Sequence, residues 1–180
     1  MNMPELESQK AYRQFRNRLD AMTAEAWETY KSKMACKAGC SACCRGDFHI
    51  ALIEGLAVKE AVNALPEETK KIIAHNIANP NPDRCPLLID DRCSIYNERP
   101  ILCRIFGFPI ATAGKLTACE LNFTDERDRD FSARAFDRDV IGQTLAAISK
   151  LLLAETGSPP PPEGSDPPAF LIREVLENLS

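Results

Sequence analysis

Four cysteines stand within nine residues, in the run CKAGCSACC from Cys36 to Cys44, and four more follow at Cys85, Cys93, Cys103 and Cys119. Thiols gathered this way act as disulfide staples or as metal ligands, since thiolate is a soft anionic donor suited to zinc, copper(I) and iron–sulfur clusters. Cys40 and Cys43 have the knuckle spacing by which two sulfurs grip one metal, and Cys36 can add a third from the same loop. A mononuclear zinc site of the usual kind asks for a second such pair. The later cysteines are instead separated by 8, 10 and 16 positions. Together with the adjacent Cys43 and Cys44, that spacing favours an iron–sulfur cluster over zinc. Neighbouring side chains diverge, so the vicinal pair is expected to serve different metal atoms, or to divide into one ligand and one structural or redox-active thiol. Eight thiols suffice for two four-sulfur sites, one polynuclear cluster, or one four-sulfur centre with four to spare.

So many thiolates would carry excess negative charge. Lys37, Arg45, Arg92, Arg99 and Arg104 stand beside cysteines and can offset it, although each taken singly reads as an ordinary surface cation. His49, five residues after Cys44, is an alternative ligand, but a lone histidine is more often packed or solvated. His75 falls on a predicted helix far from any cysteine.

The elements that must position these groups read as mainly helical. The first 34 residues repeat apolar positions at three- and four-residue spacing (Phe15, Leu19, Met22, Ala26, Tyr30), with a break expected near Met22–Thr23. Ile53, Leu56, Ala57, Ala61 and Ala64 describe a second helix over 52–65. Pro66 with Glu67 and Glu68 opens a third, which the NPNP run at 79–82 stops. Leu87–Ile89 and Cys93–Tyr96 flank Asp90–Asp91 as a small hairpin, and Pro109–Thr112 and Lys115–Ala118 flank Ala113–Gly114 as a second. Residues 125–155 read as one long helix. The run SPPPPEGSDPP holds six of the thirteen prolines and reads as an extended linker. The expected fold is therefore helices surrounding an irregular, cysteine-rich metal-binding core with one or two short β-hairpins. It forms a single domain over residues 1–156, then a proline-rich linker at 157–168 and a C-terminal helix at 169–180. Phe170, Leu171, Val175 and Leu176 of that helix are expected to dock on the body or on another protein.

With 180 residues the chain can bury a core without crosslinks. A net charge of −4 gives no footprint for nucleic acid, and no window supplies the apolar run of a membrane span. The N-terminus MNMPELESQKAYRQFRNRLD has no apolar signal-like core, so a cytoplasmic, reducing location is expected. There, clustered thiols read as metal-binding or catalytic rather than as disulfides.

The segments CKAGCSACC and CPLLIDDRCSIYNERPILCRIFGFP together resemble the signatures of the bacterial YkgJ-like cysteine-cluster family, also called the CxxCxxCC or zinc- or iron-chelating domain family. Flagellin lysine N-methylases carry a similar cysteine set. The resemblance places the family's eight cysteines on Cys36, Cys40, Cys43, Cys44, Cys85, Cys93, Cys103 and Cys119, and its C-x-I-Y-x-x-R-P-x-x-C-R run on Cys93, Ile95, Tyr96, Arg99, Pro100, Cys103 and Arg104. Cys36-x3-Cys40 departs from the two-residue gap of the family name. The resemblance implies metal binding and leaves the reaction open. Within the motif, Arg99 and Arg104 can donate to carbonyls or cluster sulfurs, and Tyr96 with Arg99 can clamp the loop.

Three functions follow from these residues. The first is a metal–thiolate protein holding zinc or an iron–sulfur cluster in a structural, redox or metal-handling role. The second is a cluster-dependent protein-modifying enzyme related to the flagellin methylases. No Gly-rich dinucleotide-type turn is present for a self-contained methyltransferase, and the chain is too short for the β/α barrel of radical enzymes. The third is a zinc-stabilised interaction module that meets a protein partner through the C-terminal helix.

Overall fold

A computed structural model describes residues 5–37, 39–46, 48–125, 131 and 134–177. The protein is mainly α, with small sheets, and it divides into two compact units, each assembled from separate stretches of chain. Unit 1 comprises Met1–Lys37 and Ile101–Ser158, and unit 2 comprises Ala38–Pro100 and Pro159–Ser180.

Unit 1 is organised by α1 (Glu7–Tyr30), which buries Tyr12, Leu19, Ala26 and Tyr30 along one face. The break expected near Thr23 does not occur. The Thr23 hydroxyl donates back to the Asp20 carbonyl at 2.8 Å, so this residue serves inside the helix rather than capping a new one. The N-terminus of α1 is held by Glu155, whose carboxylate accepts from the backbone N–H groups of Glu7 (2.8 Å) and Ser8 (3.1 Å). An anion there satisfies donors that an α-helix leaves open and complements its dipole.

A short helix, α4 (Ile101–Ile105), precedes a three-stranded sheet. Strand β4 (Ile110–Thr112) pairs antiparallel with β5 (Lys115–Thr117) and parallel with β6 (Phe136–Asp137). The turn between β4 and β5 puts Ala113 and Gly114 at φ 47° and 75°, the left-handed pair that matches strand twist in a two-residue hairpin. Helix α5 (Arg138–Glu155) is shorter than the helix expected over 125–155. Its start is set by Asp137, whose carboxylate accepts from Asp139 N (2.9 Å) and Val140 N (3.0 Å). The buried Phe136 just before it is committed to the sheet. Residues 126–130, 132 and 133 of the expected helix lie outside the described residues. Leu145, Ile148 and Leu152 form the buried side of α5.

Unit 2 contains α2 (Leu52–Asn63) and α3 (Glu67–Ala78). Between α3 and the end of the unit's first stretch lies the antiparallel pair β2 (Leu88–Ile89) and β3 (Arg92–Cys93). Asp90 and Asp91 turn this pair at φ 47° and 56°. The C-terminal stretch, expected to be one helix from 169, begins as strand. Strand β7 (Ala169–Leu171) pairs antiparallel with β1 (His49–Ala51), and only then does α6 (Ile172–Glu177) follow. Phe170 and Leu171 are half-buried, and Ile172, Val175 and Leu176 enter the same core as Ile50, Val58, Val62 and Ile73. Gly55 of α2 is what lets α6 come so near: a Cβ at that position would lie 3.2 Å from a Val175 methyl. Ile172, Val175 and Leu176 of α6 are therefore spent on packing inside their own unit.

A helix that only met a partner would tolerate truncation of its apolar residues. Leu176, 2% exposed, is instead a core residue, and Leu176→Ala is expected to cost about 2–5 kcal/mol. A denaturant melt of the isolated protein checks this; an unshifted midpoint contradicts the packing.

Candidate metal centre

The cysteines do not divide into an early and a late quartet. Cys36, Cys103 and Cys119 belong to unit 1, while Cys40, Cys43, Cys44, Cys85 and Cys93 belong to unit 2. None of the eight forms a disulfide.

In unit 2 the loop after Gly39 (φ 85°) leads through Cys40 into a 3-10 turn, Ala42–Cys44, closed by Cys44 N donating to Ser41 O at 2.8 Å. Two cross-links bring this turn to the later cysteines. The Ser41 hydroxyl donates to Asp91 Oδ1 at the tip of the β2–β3 hairpin (3.1 Å), and Cys85 N donates to the Cys44 carbonyl (2.9 Å). Cys93 lies on β3 opposite Leu88. Cys85 is buried, and Cys44 and Cys93 pack against the core formed by Leu87, Leu88 and Ile95. Cysteines from two stretches far apart in sequence thus pack on the same core.

The thiols there influence one another. The hydrogen bond to Cys44, followed by burial and the neighbouring Cys44 charge, pushes the Cys43 thiol far above its ordinary range, while the Arg99 guanidinium pulls it down. Burial likewise raises Cys93, opposed by the Ile95 backbone and by Arg99, with Cys43 adding to the rise. Arg99 therefore acts on both sulfurs. Its guanidinium carbon sits 3.9 Å from the centroid of the Tyr96 ring, which is 60% exposed. Between Tyr96 and Arg99 the structure shows a cation–π contact rather than the hydrogen-bonded clamp expected from sequence.

Unit 1 holds its three cysteines differently. The amide of Asn122, 2% exposed, donates to the Gly107 carbonyl at 2.8 Å and to Cys36 Sγ at 3.4 Å, and its oxygen accepts from Ala35 N at 2.8 Å. The backbone N–H of Asn122 donates to the Cys119 carbonyl at 2.9 Å. Next to it, Phe123 takes φ 53°, an uncommon conformation for a bulky residue. It is held there by its N–H bond to Lys33 O (2.9 Å) and by edge-on rings of Tyr30 and Phe131 at 5.2 and 5.1 Å. Cys103 rides on α4. Its neighbour Arg104 is buried and gives its guanidinium to Asp20 of α1, with Nη1 at 2.7 and 2.9 Å from the two carboxylate oxygens.

Lys37, Arg45 and Arg92 are exposed, as are His49 on β1, opposite Leu171, and His75 on α3. Among the described residues, no three His, Cys, Asp or Glu side chains converge tightly enough to hold one metal ion as they stand. The donor set still fits a soft metal by chemistry: thiols without disulfide partners, an amide N–H directed at the Cys36 sulfur, and the positive charge of Arg99 lowering the Cys43 and Cys93 thiols. Structural metal sites commonly close only when the ion binds. Sequence reading missed Asn122, Ser41 and Asp20. A single polar residue after the last cysteine, or within the first cysteine run, carries no periodic signal that would single it out.

Residues 35–129 match the family model CxxCxxCC, described as "Putative zinc- or iron-chelating domain". No curated protein and no solved structure matches the chain. No helix among the described residues is long and apolar enough to cross a membrane.

Gly107 makes a sharp test of this geometry. It sits at φ 108°, and a Cβ there would lie 3.0 Å from Cys36 Sγ. Gly107→Ala should cost about 1–3 kcal/mol from backbone strain alone, with the sulfur contact added. Gly114→Ala, at φ 75° in open space, should feel only the strain. Thermal melts of the two variants that rank them equally would contradict the close approach to Cys36.

Proposed function

Because the chain belongs to the CxxCxxCC zinc- or iron-chelating family, we propose that its cysteines hold a thiolate-bound metal centre in a reducing compartment. The cysteine spacings and the vicinal pair favour an iron–sulfur cluster over zinc. The observation that carries this reading is the shared neighbourhood of Cys43, Cys44 and Cys93 in unit 2, with the Arg99 guanidinium acting on Cys43 and Cys93. Crowded, half-buried thiols repel once ionised, and a cation relieves that repulsion.

In this reading the candidate ligands within unit 2 are Cys40, Cys43, Cys44, Cys85 and Cys93, and those within unit 1 are Cys36, Cys103 and Cys119. A bound metal would keep these sulfurs as thiolates and, in a cluster, would supply one-electron chemistry. The chain's own residues do the rest. Arg99 offsets negative charge at Cys43 and Cys93, Ser41 holds the cysteine turn on the hairpin tip, and the apolar residues around Cys85 exclude water. The role is structural, redox or metal handling.

Purification without oxygen, followed by metal and sulfide analysis and a visible spectrum, tests the proposal. A brown protein with stoichiometric iron and acid-labile sulfide is expected. A colourless protein with stoichiometric zinc would replace the cluster with zinc and keep the reading. Protein with no stoichiometric metal and all eight thiols titratable by an aromatic disulfide reagent would end it.

Proton linkage gives a second check. The Cys43 and Cys93 thiols are raised, so near neutrality both carry protons that a metal must displace. Raising the pH removes the competitor, and apparent affinity should climb by about tenfold per pH unit for each proton displaced. Chelator competition between about pH 6 and 8 measures this; a flat profile argues against thiol ligation. Arg99→Gln should raise both thiols further and weaken binding at a given pH.

A further inference from the structure

We propose that Asn122 is a positioning residue that holds the Cys36 sulfur in place as a metal ligand through an N–H···S hydrogen bond. This rests on the metal-binding function proposed above. The argument begins with the orientation of the amide. Its oxygen faces the Ala35 N–H at 2.8 Å and its nitrogen faces the Gly107 carbonyl at 2.8 Å. Reversing the amide would set donor against donor and acceptor against acceptor in a buried place, so the orientation is settled by chemistry. One N–H of the amide is then spent on Gly107, and the second points to Cys36 Sγ at 3.4 Å. The sulfur also lies 3.8 Å from the amide oxygen, so both ends of the amide bear on it and fix its position.

The same residue also sets where the sulfur lies. Ala35, whose N–H the amide receives, is the neighbour of Cys36 in the chain. The backbone N–H of Asn122 donates to the carbonyl of Cys119, a second member of the cysteine set. Gly107 completes the cradle: a Cβ there would sit 3.0 Å from the sulfur and 3.3 Å from the Asn122 nitrogen, so the absence of a side chain keeps the sulfur against the amide. Asn122 thus ties three otherwise separate segments, around residues 35–36, 107 and 119, about one thiol. A purely structural asparagine would need only the two 2.8 Å bonds; the donor aimed at sulfur adds a function toward the ligand.

A double-mutant cycle separates positioning from general support. Metal-free wild type, Asn122→Ala, Cys36→Ser and the double variant are titrated anaerobically with Co(II), using the sulfur-to-cobalt absorption band and chelator competition. Melting temperatures of the metal-free forms are recorded alongside. Asn122→Ala is expected to weaken Co(II) binding about 10–100-fold and to cause no further loss in the Cys36→Ser background, although its melting temperature falls in both. Equal loss in both backgrounds, or unchanged affinity despite a lowered melting temperature, overturns the inference and leaves the metal-binding proposal standing. A wild type that takes up neither Co(II) nor Zn(II) overturns both. Should Asn122→Ala fail to fold, Asn122→Asp replaces it in the cycle. The aspartate keeps an acceptor for Ala35 N–H and turns an oxygen toward the sulfur, and the same outcomes apply.

Discussion

Buried backbone N–H and C=O groups must find partners, and in this protein the segments that carry the cysteines are the ones with the least regular structure to supply them. The first cysteine run is a loop with one 3-10 turn, and the segment 118–125 has no helix or strand. Several of their polar groups are met by long-range bonds: Cys44 O with Cys85 N, Ala35 N with the Asn122 side chain, and Lys33 O with Phe123 N. Each bond joins stretches far apart in sequence. The helices and small sheets provide rigid walls, and these few bonds decide where the sulfurs lie.

A tension between burial and charge runs through the cysteine set. Packing Cys93 against Leu87, Leu88 and Ile95 shields its thiol but disfavours the ionised form, and the Arg99 charge works against that penalty. In unit 1 a neutral donor, the Asn122 amide, faces Cys36 Sγ instead. This is a different economy from a disulfide framework, in which the sulfurs need no such partners.

Helices were legible where the apolar period was clean. Leu19, Ala26 and Tyr30 announced α1, Pro66–Glu68 announced α3, and the Asp90–Asp91 and Ala113–Gly114 pairs stand at turns between paired strands. The errors have physical causes. Helix α5 starts only at Arg138, because Asp137 caps it and Phe136 is taken by a sheet. Ala169–Leu171 reads as the first turn of a helix until β1 offers its edge. The cysteine set and its family were legible, because spacing survives in one dimension. Its partition was not: the boundary between Cys36 and Cys40 falls inside the most compact motif in the chain. Nor does anything near Asn122 in sequence reveal that its amide is shared among three segments.

The interleaving of the two units has a consequence for how the molecule comes into being. Each is completed by residues that leave the ribosome late: α1 waits for Glu155, and β1 waits for β7 with 122 positions between His49 and its partner Leu171. All eight cysteines emerge before either closure can occur. During that interval the nascent thiols lack their walls, and vectorial synthesis exposes them to oxidants and stray soft cations. The order in which the polypeptide is made, and not only its final shape, therefore sets how long these thiols stand without their final packing.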